Sequence, residues 1–267
     1  MKYIELSYID LGLAAILIIV NAIISITLGL RLERLLLLAS VRTIVQLLLI
    51  GLVLESVFAV REWYMVLGLL LVMTIIAGVA AVSRMDRRYR GVYVDSIVAV
   101  WCSSWIVAAY ALLVIMRDVQ PWYHPQYAIP LAGMILGNSL NGISLGLNRL
   151  SEQLATRRDQ VEAMLTLGAT RWEAARGIIR QAIHTGMIPI INSMMVVGIV
   201  SLPGMMTGQL LSGVSPLQAV RYQIVIMFLI AAATALGTVT AVLLSYRRLF
   251  NEDHQFRGDQ ITGSPDA

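Results

Sequence analysis

The sequence has little charge and almost no lysine. Only 13% of its 267 residues are charged and 58% are apolar, whereas a soluble domain is about a quarter charged and about 45–50% apolar. The mean hydropathy of +0.77 therefore indicates a membrane protein. The single lysine, Lys2, lies outside any glycine-rich segment, and a Walker-type ATPase needs a lysine on the phosphates. We therefore do not expect this chain to hydrolyse ATP itself.

Cysteine and histidine are also scarce. The one cysteine is Cys102, and His124, His184 and His254 are far apart in the sequence. This pattern excludes a disulfide framework and a zinc site with the usual Cys/His spacing. The pI near 9.4 does not indicate nucleic-acid binding, because the arginines are spread between apolar runs and form no basic domain.

Long apolar runs account for most of the chain. Each is long enough to cross a hydrocarbon core about 30 Å thick, and together they predict an all-α polytopic membrane protein. The seven predicted spans are at about Leu11–Leu30, Leu35–Leu54, Met65–Val82, Ser96–Met116, Ile129–Leu147, Met187–Leu211 and Tyr222–Tyr246. Pro203-Gly204 interrupts the sixth span, which is a candidate for two half-helices.

These spans predict a simple domain organisation. Residues 1–147 hold spans one to five, residues 148–186 form a soluble helical loop, and residues 187–250 hold spans six and seven. Residues 251–267 are polar and too short to fold alone, which predicts a disordered tail. The whole chain is then one membrane domain.

Basic residues alternate between the predicted loops. Fifteen of the 20 lie on one side of the seven spans, and the other side holds only Lys2, Arg61, Arg117 and Arg221. The positive-inside rule places the N-terminus outside and the C-terminus in the cytoplasm. The predicted spans contain no Asp or Glu, which argues against a proton-coupled carrier.

The soluble loop is typical of two amphipathic helices. The first is expected to run to about Leu167 with Gly168 as its C-cap, and Thr170 with Glu173 forms a capping box for the second. Composition alone fits an amphipathic hairpin on anionic headgroups equally well. However, the loop has Glu162-Ala163-Met164, three residues, Gly168, nine residues and Ile178. This spacing resembles the EAA loop of ABC transporter permeases, with Arg180-Gln181 in place of its Leu-Pro.

In ABC permeases this loop is the coupling helix that docks on a cytoplasmic ATPase. The resemblance implies an ATPase-coupling role for Glu162, Ala163, Gly168, Arg171, Trp172 and Ile178. Here Glu162 would supply a charge, Gly168 a permissive turn and Trp172 an apolar anchor.

More of the chain resembles one branch of that superfamily. The stretches Arg42–Leu47, Gly137–Gly142 and Ser201–Gln209 are similar to the FetB-like permeases, which are bacterial metal exporters with plant relatives linked to aluminium tolerance. The resemblance implies a homodimer in the bacterial inner membrane that exports a metal ion, iron, with two copies of a FetA-like ATPase. ATP and Mg would bind to that partner, and this chain would be a non-catalytic subunit with no cofactor and no nucleic-acid partner.

Three alternatives stay open from the sequence. They are a secondary carrier or channel for a metal or small solute, a membrane-anchored regulatory subunit, and an ABC permease with a non-metal substrate. An associated ATPase would exclude the first, and ATP-dependent flux would exclude the second.

Several membrane residues are candidates for the pathway or its gate. A broken sixth span would expose carbonyl groups, and its candidates are Ser201, Pro203, Gly204, Met205, Met206, Thr207 and Gln209. Arg42 and Gln46 lie one turn apart in the second span, as a snorkelling arginine or a polar pair for packing or gating. Asn138, Asn141 and Asn148 share one helix face near the pairs Gly133/Gly137 and Gly142/Gly146, for which close helix packing is the alternative.

Metal ligands are weaker candidates. Met194-Met195 and Met205-Met206 would align on an unbroken helix, and their thioethers suit Cu(I) better than Fe(II), although methionine is also a common core residue. Asp95, together with Glu33 and Asp86, lies near the expected cytoplasmic face, where an exporter first meets a cation. The same carboxylates would also neutralise neighbouring arginines.

Overall fold

The structure, a computed structural model, describes residues 7–60 and 62–263. These residues form nine α-helices and two short strands, which confirms the predicted all-α class. The helices are α1 (Tyr8–Thr27), α2 (Glu33–Val60), α3 (Trp63–Ser83), α4 (Val92–Tyr110), α5 (Pro125–Thr156), α6 (Arg158–Thr166), α7 (Arg171–Val196), α8 (Gly204–Leu211) and α9 (Pro216–Leu249), and the strands are β1 (Arg87–Tyr89) and β2 (Ile261–Gly263). The chain divides into two units, one ending at Glu62 and the other beginning at Trp63.

The first unit is a hairpin of α1 and α2. Ser7 and Asp10 form a capping box at the start of α1. In the connection, the Ser25 hydroxyl donates to Glu33 Oε2 at 3.0 Å and accepts from the Leu32 amide at 2.9 Å. Leucine, isoleucine and valine are exposed along both helices, as expected for surfaces that face lipid.

In the second unit α5 is the central helix and contacts α3, α4, α7 and α9. Small residues allow the closest of these contacts. A Cβ on Gly186 of α7 would lie 2.5 Å from the carbonyl oxygen of Gly142 in α5, and one on Gly142 would lie 2.5 Å from Thr234 Cγ2 in α9. The predicted pair Gly142/Gly146 therefore packs against helices of its own chain, whereas Gly137 has no atom within 4 Å of such a Cβ.

The described residues contain six helices long and apolar enough to cross a membrane, not the predicted seven. The sixth predicted span is broken: α7 ends at Val196, a loop follows, and α8 begins at Gly204. The apolar part of α7 beyond Arg180 is shorter than a span, and the helix stops where Val197 is extended and Gly198 has a φ of +83°. Pro203 further disfavours a helical conformation for Leu202. The predicted Met187–Leu211 helix is therefore wrong as a single element.

Nevertheless, α7 and α8 together lead from one end of the second unit to the other. One end of the second unit comprises β1, the start of α7 and the end of α9, and is called the arginine-rich end below. There the ring centroids of Trp172 and Tyr246 are 5.7 Å apart. At the opposite end, the Tyr222 hydroxyl near the start of α9 lies 3.8 Å from the sulfur of Met116, which follows α4. The start of α9 is thus at the end opposite the start of α7.

Two predicted domain boundaries fall inside helices. α5 continues past residue 147 to Thr156, and α7 continues past residue 186 to Val196. The predicted first helix of the loop is the end of α5 plus the separate α6, divided at Arg157. The composition changes at both boundaries, but each helix runs on through the change.

The C-terminal segment differs from the predicted disordered tail. Phe250 is buried and bridges to Phe256, with ring centroids 5.1 Å apart. β2 then pairs antiparallel with β1, with Thr262 opposite Arg88. Residues 251–263 are therefore ordered by contacts with distant parts of the chain. The last four residues of the predicted tail, like Lys2 and Arg61 of the predicted outer side, lie outside the described residues.

Candidate functional site

The turn between α6 and α7 has the local geometry that the sequence predicts. Gly168 has a φ of +92°, and its amide donates to the Leu165 carbonyl while the Ala169 amide donates to the Met164 carbonyl. This is a Schellman ending for α6. Thr170 and Glu173 form the predicted capping box at the start of α7. Two strong local signals therefore fix the turn.

Apolar side chains project from this turn. Leu167 is 89% exposed, Trp172 is 48% exposed, and Met164 is exposed as well. In contrast, Val161 and Ile178 are buried and hold the two helices to the core. Leu167, Met164 and Trp172 are called the turn surface below. An exposed apolar patch with a polar rim marks an interaction site.

The rim of the turn surface is charged. Arg158 Nε donates to Glu162 Oε1 at 2.6 Å, and this hydrogen bond raises the pKa of Arg158. The backbone amide and then the hydroxyl of Thr170 lower the pKa of Glu173. A recess of about 290 Å³ separates α6 from α7 and is bordered by Arg157, Gln160, Met164, Glu173 and Arg176. The rim of the turn surface therefore carries both signs of charge, with Arg157 and Arg176 bordering the recess.

The six predicted coupling residues do not all face solvent. Ala163, Gly168 and Trp172 are exposed, and Glu162 is partly exposed and paired with Arg158. Ile178 is buried, so it supports the hairpin from inside. Arg171 donates to the Asn251 carbonyl at 2.9 Å and thereby holds the C-terminal segment. Leu167 is not part of the family pattern, so the sequence analysis missed it. An apolar residue directly before a helix-ending glycine could have indicated it.

A buried ion pair lies at the arginine-rich end. Arg248 Nε and Nη2 donate to the two oxygens of Asp95 at 2.8 and 2.7 Å, and the Tyr89 hydroxyl donates to Asp95 at 2.9 Å. Burial, followed by the negative charge of Asp95, raises the pKa of Tyr89. Gly91, with a φ of +93°, leaves room for the guanidinium: a Cβ there would lie 2.6 Å from Arg248 Nη1. Asp95 therefore joins α4 to α9, and the structure does not favour it as a metal ligand.

Glu33 and Asp86, the other two carboxylates predicted to contact an incoming cation, also accept hydrogen bonds. Glu33 accepts from Ser25, and Asp86 accepts from the side chain of Asn148 at 3.0 Å while its own amide donates back to Asn148 Oδ1 at 3.0 Å. Asn141 accepts from Arg84 at 2.6 Å. Two residues of the predicted asparagine face thus fasten α5 to the connection between α3 and β1.

The remaining candidates on α5 and α2 stay exposed. The Asn138 amide donates to the carbonyl of Met134 in its own helix at 2.8 Å. Arg42 and Gln46 lie one turn apart on α2 and are both exposed. The predicted roles of Asn138, Arg42 and Gln46 in the pathway stay predictions.

The break between α7 and α8 forms a compact loop. The Gly198 amide donates to the Ser201 carbonyl at 2.8 Å, with Gly198 at a φ of +83°. Pro203 precedes the first residue of α8, Gly204, and Thr207 donates back to the Pro203 carbonyl at 3.2 Å. The side-chain oxygen of Gln209 is buried without a hydrogen-bond partner among the described residues.

A cavity of about 400 Å³ adjoins this break. Met194 of α7, Met206 of α8 and Met227 of α9 line it together with Gln223. The predicted alignment of the methionine pairs on one unbroken helix is wrong, because the helix is broken. Nevertheless, Met194 and Met206 line the same cavity. Met205 does not line it, and Met195 is 72% exposed. Met227 and Gln223 were missed, because their proximity depends on how α9 packs.

Acidic and histidine side chains offer no alternative metal centre. Across residues 7–60 and 62–263 there is no group of three or more His, Cys, Asp or Glu side chains that could hold a metal ion.

Comparison with known proteins identifies the family. The model described as "Uncharacterised protein family (UPF0014)" matches residues 8–250. The chain belongs to the UPF0014 family. This membership, with the six apolar helices, shows a multi-pass membrane protein. No solved structure matches the chain.

Relatives of this UPF0014 protein come from bacteria and plants. It is 43% identical to the UPF0014 membrane protein slr1647 of Synechocystis over 85% of this chain and 87% of the relative. It is 34% identical to the "Probable iron export permease protein FetB" of Escherichia coli over 94% of this chain and 95% of the relative. It is 30% identical to the "Protein ALUMINUM SENSITIVE 3" of Arabidopsis thaliana over 91% and 88% of the two chains. The predicted resemblance to FetB-like permeases is confirmed.

Proposed function

We propose that this UPF0014 protein is the permease subunit of an ABC transporter that exports a metal ion, with iron as the first candidate. A separate cytoplasmic ATPase would bind ATP and Mg and drive transport. The observation that carries the proposal is the turn surface: Leu167, Met164 and Trp172 are exposed at the tip of a rigid helical hairpin. The name of the Escherichia coli relative supports a metal as cargo and iron as its identity.

The turn surface suits an ATPase better than a lipid headgroup layer. Its apolar side chains lie at the tip of the hairpin, where both helices end, and not along one helix face. A helix that lies on a membrane instead exposes an apolar stripe along its length. Arg157 and Arg176 on its rim would complement an acidic groove on the partner.

The hairpin also has a direct mechanical connection to the membrane helices. α7 is a single helix from Arg171 to Val196, about 39 Å long at 1.5 Å per residue. Its first turn carries Trp172 of the turn surface, and its far end adjoins the broken segment and the start of α9. A movement of the ATPase would therefore be transmitted along α7 to the membrane region.

Two copies of the chain would form the working transporter in the inner membrane. Each copy has one turn surface, and ATP-driven closure of an ATPase pair requires two.

In the six candidate spans of the described residues, acidic side chains lie only near the helix ends. The spans therefore give little basis for proton coupling as the energy source.

The test is a substitution at the tip of the turn surface. In Leu167→Asp a charge replaces an apolar side chain that is 89% exposed, so folding should be unaffected. We expect loss of co-purification with the ABC ATPase encoded beside this protein, and loss of vanadate-sensitive Fe(II) flux in proteoliposomes. A tenfold or greater loss of affinity is the expected scale for an apolar anchor, since hot-spot residues contribute about 2 kcal/mol or more.

Gln181→Asp is the matched control, because it adds the same charge at an exposed position further along α7. It should bind the ATPase as the wild type does. Wild-type strength of ATPase binding by Leu167→Asp would overturn the docking surface. Flux that needs no ATPase, or failure of the wild-type chain to bind any ABC ATPase, would overturn the ABC function.

A further inference from the structure

The cavity beside the broken helix gathers sulfur from three separate elements. Met194 comes from the end of α7, Met206 from α8 and Met227 from the fourth turn of α9. Met206 is only 9% exposed and Met227 is buried too, so both side chains are confined to the cavity wall. Methionine has three rotatable side-chain bonds, so the three side chains can adjust to a ligand in the cavity.

Gln223 gives this cavity an unusual polar donor. It is 7% exposed, it lines the cavity, and its side-chain oxygen has no hydrogen-bond partner among the described residues. A buried amide oxygen without a partner is costly. An orphaned acceptor that faces methionines and other apolar side chains therefore indicates a ligand with a positive charge or a hydrogen-bond donor.

The donor set selects the kind of ion. Thioethers are soft ligands that favour Cu(I) and its analogue Ag(I), whereas hard divalent cations prefer carboxylates. All four donors are neutral, so the cavity offers no charge to offset a divalent cation away from water. A monovalent ion has a smaller desolvation cost.

We propose that this cavity binds a soft monovalent metal ion, held by the thioethers of Met194, Met206 and Met227 with the Gln223 oxygen as a fourth donor. The site lies next to the break at residues 197–203, where α7 delivers the movement of the hairpin. The inference goes beyond the proposed function, in which iron is the first candidate for cargo, and it does not rest on that function.

The experiment measures Ag(I) binding by isothermal titration calorimetry to the purified full-length chain in lipid nanodiscs, with Cys102→Ser in every protein because the Cys102 thiol is itself a soft ligand. Ag(I) is the probe because it is soft and has a stable oxidation state. Leucine substitutions preserve volume and apolarity, so Met194→Leu, Met206→Leu and Met227→Leu should fold normally. We expect each to weaken Ag(I) binding on the order of tenfold, and the triple variant to lose it.

Met195→Leu is the matched control, because Met195 adjoins Met194 in the sequence but points away from the cavity and is 72% exposed. It should bind Ag(I) as the wild type does. Gln223→Leu should weaken Ag(I) binding and also raise the melting temperature of the metal-free protein, since it removes an unsatisfied buried group. Only a role of Gln223 as a metal ligand predicts the weaker Ag(I) binding.

Two results would overturn the site. One is unchanged Ag(I) affinity in the triple variant, and the other is an equal loss in Met195→Leu. Tighter binding of Fe(II) than of Ag(I) at the same residues would overturn the choice of ion class. ATPase binding to the triple variant, measured without metal, separates failure of the metal site from failure of the ABC function. If the triple variant binds the ATPase and the wild type does not bind Ag(I), the site fails and the ABC function stands.

Discussion

At the scale of single residues, Asp95 has the most specific surroundings in the chain. Both of its oxygens accept from Arg248, and one also accepts from Tyr89. Removing one partner of a buried pair is destabilising because the other charge is left without compensation. Since the Arg248 side chain is 39% exposed, water would compensate part of that loss.

We predict that Asp95→Asn lowers the free energy of unfolding by about 1–3 kcal/mol. The measurement is thermal unfolding of the purified protein in detergent. Glu152→Gln is the control, because the exposed pair Arg149–Glu152 should contribute less than about 1 kcal/mol. Equal melting temperatures for Asp95→Asn and the wild type would contradict the structural role, and a selective loss of metal transport by a stable Asp95→Asn would restore the ligand role.

The sequence identified Asp95, Glu33 and Asp86 as notable but could not assign their partners. Arg248 is 153 residues from Asp95 and Asn148 is 62 residues from Asp86. No spacing rule connects positions so far apart. The alternative that these carboxylates neutralise neighbouring arginines was available from the sequence, but which groups they contact depends on the helix packing.

At the scale of elements, α5 and α7 pack closely where Gly142 faces Gly186. A Cβ on Gly186 would be 2.5 Å from a backbone oxygen of Gly142 and 2.6 Å from Thr238 Cγ2. A backbone oxygen cannot rotate away as a side chain can, so the two helices would have to separate. Loss of packing along both helices would follow.

We therefore predict that Gly186→Ala destabilises the protein by about 1–3 kcal/mol or more, as overpacking does. Gly137→Ala is the matched control on α5, since nothing lies within 4 Å of its Cβ, and alanine is the better helix former by about 1 kcal/mol. In thermal unfolding, Gly186→Ala should therefore have the lower melting temperature and Gly137→Ala the higher one. If Gly137→Ala instead unfolds a homodimer at lower temperature while the monomer keeps its stability, Gly137 packs against the second copy.

Sequence patterns predicted elements well where the determining contacts are local. Thr170, Glu173 and Gly168 were correctly placed as caps because each acts within a few residues of itself. Pro203-Gly204 correctly marked an interrupted helix. The division at Arg157 and the pairing of β2 with β1 carried no such signal: Arg157 is an ordinary helix former, and the strand pair joins residues 87–89 to 261–263.

At the scale of the whole molecule, composition predicted the membrane class and charge alternation predicted an orientation. The hydropathy of the sixth predicted span was high enough to suggest one helix. However, a turn rich in apolar residues, with Ile199 and Val200 exposed, contributes the same hydropathy as a helix. Apolar composition shows that a segment belongs in the membrane but does not show how it crosses.

The last prediction concerns the path of α7 and α8. Because the start of α7 lies beside the end of α9, and the start of α9 lies near Met116, α7 and α8 should cross the membrane together as a discontinuous span. Single cysteines in a Cys102→Ser background test this with a membrane-impermeant maleimide on intact cells. The exposed positions Asp118→Cys and Ser215→Cys should react from outside, and Thr156→Cys and Glu252→Cys only after permeabilisation. If Thr156→Cys and Ser215→Cys react from the same side, α7 and α8 do not cross. If all four sides are reversed, the crossing stands and the positive-inside orientation is wrong.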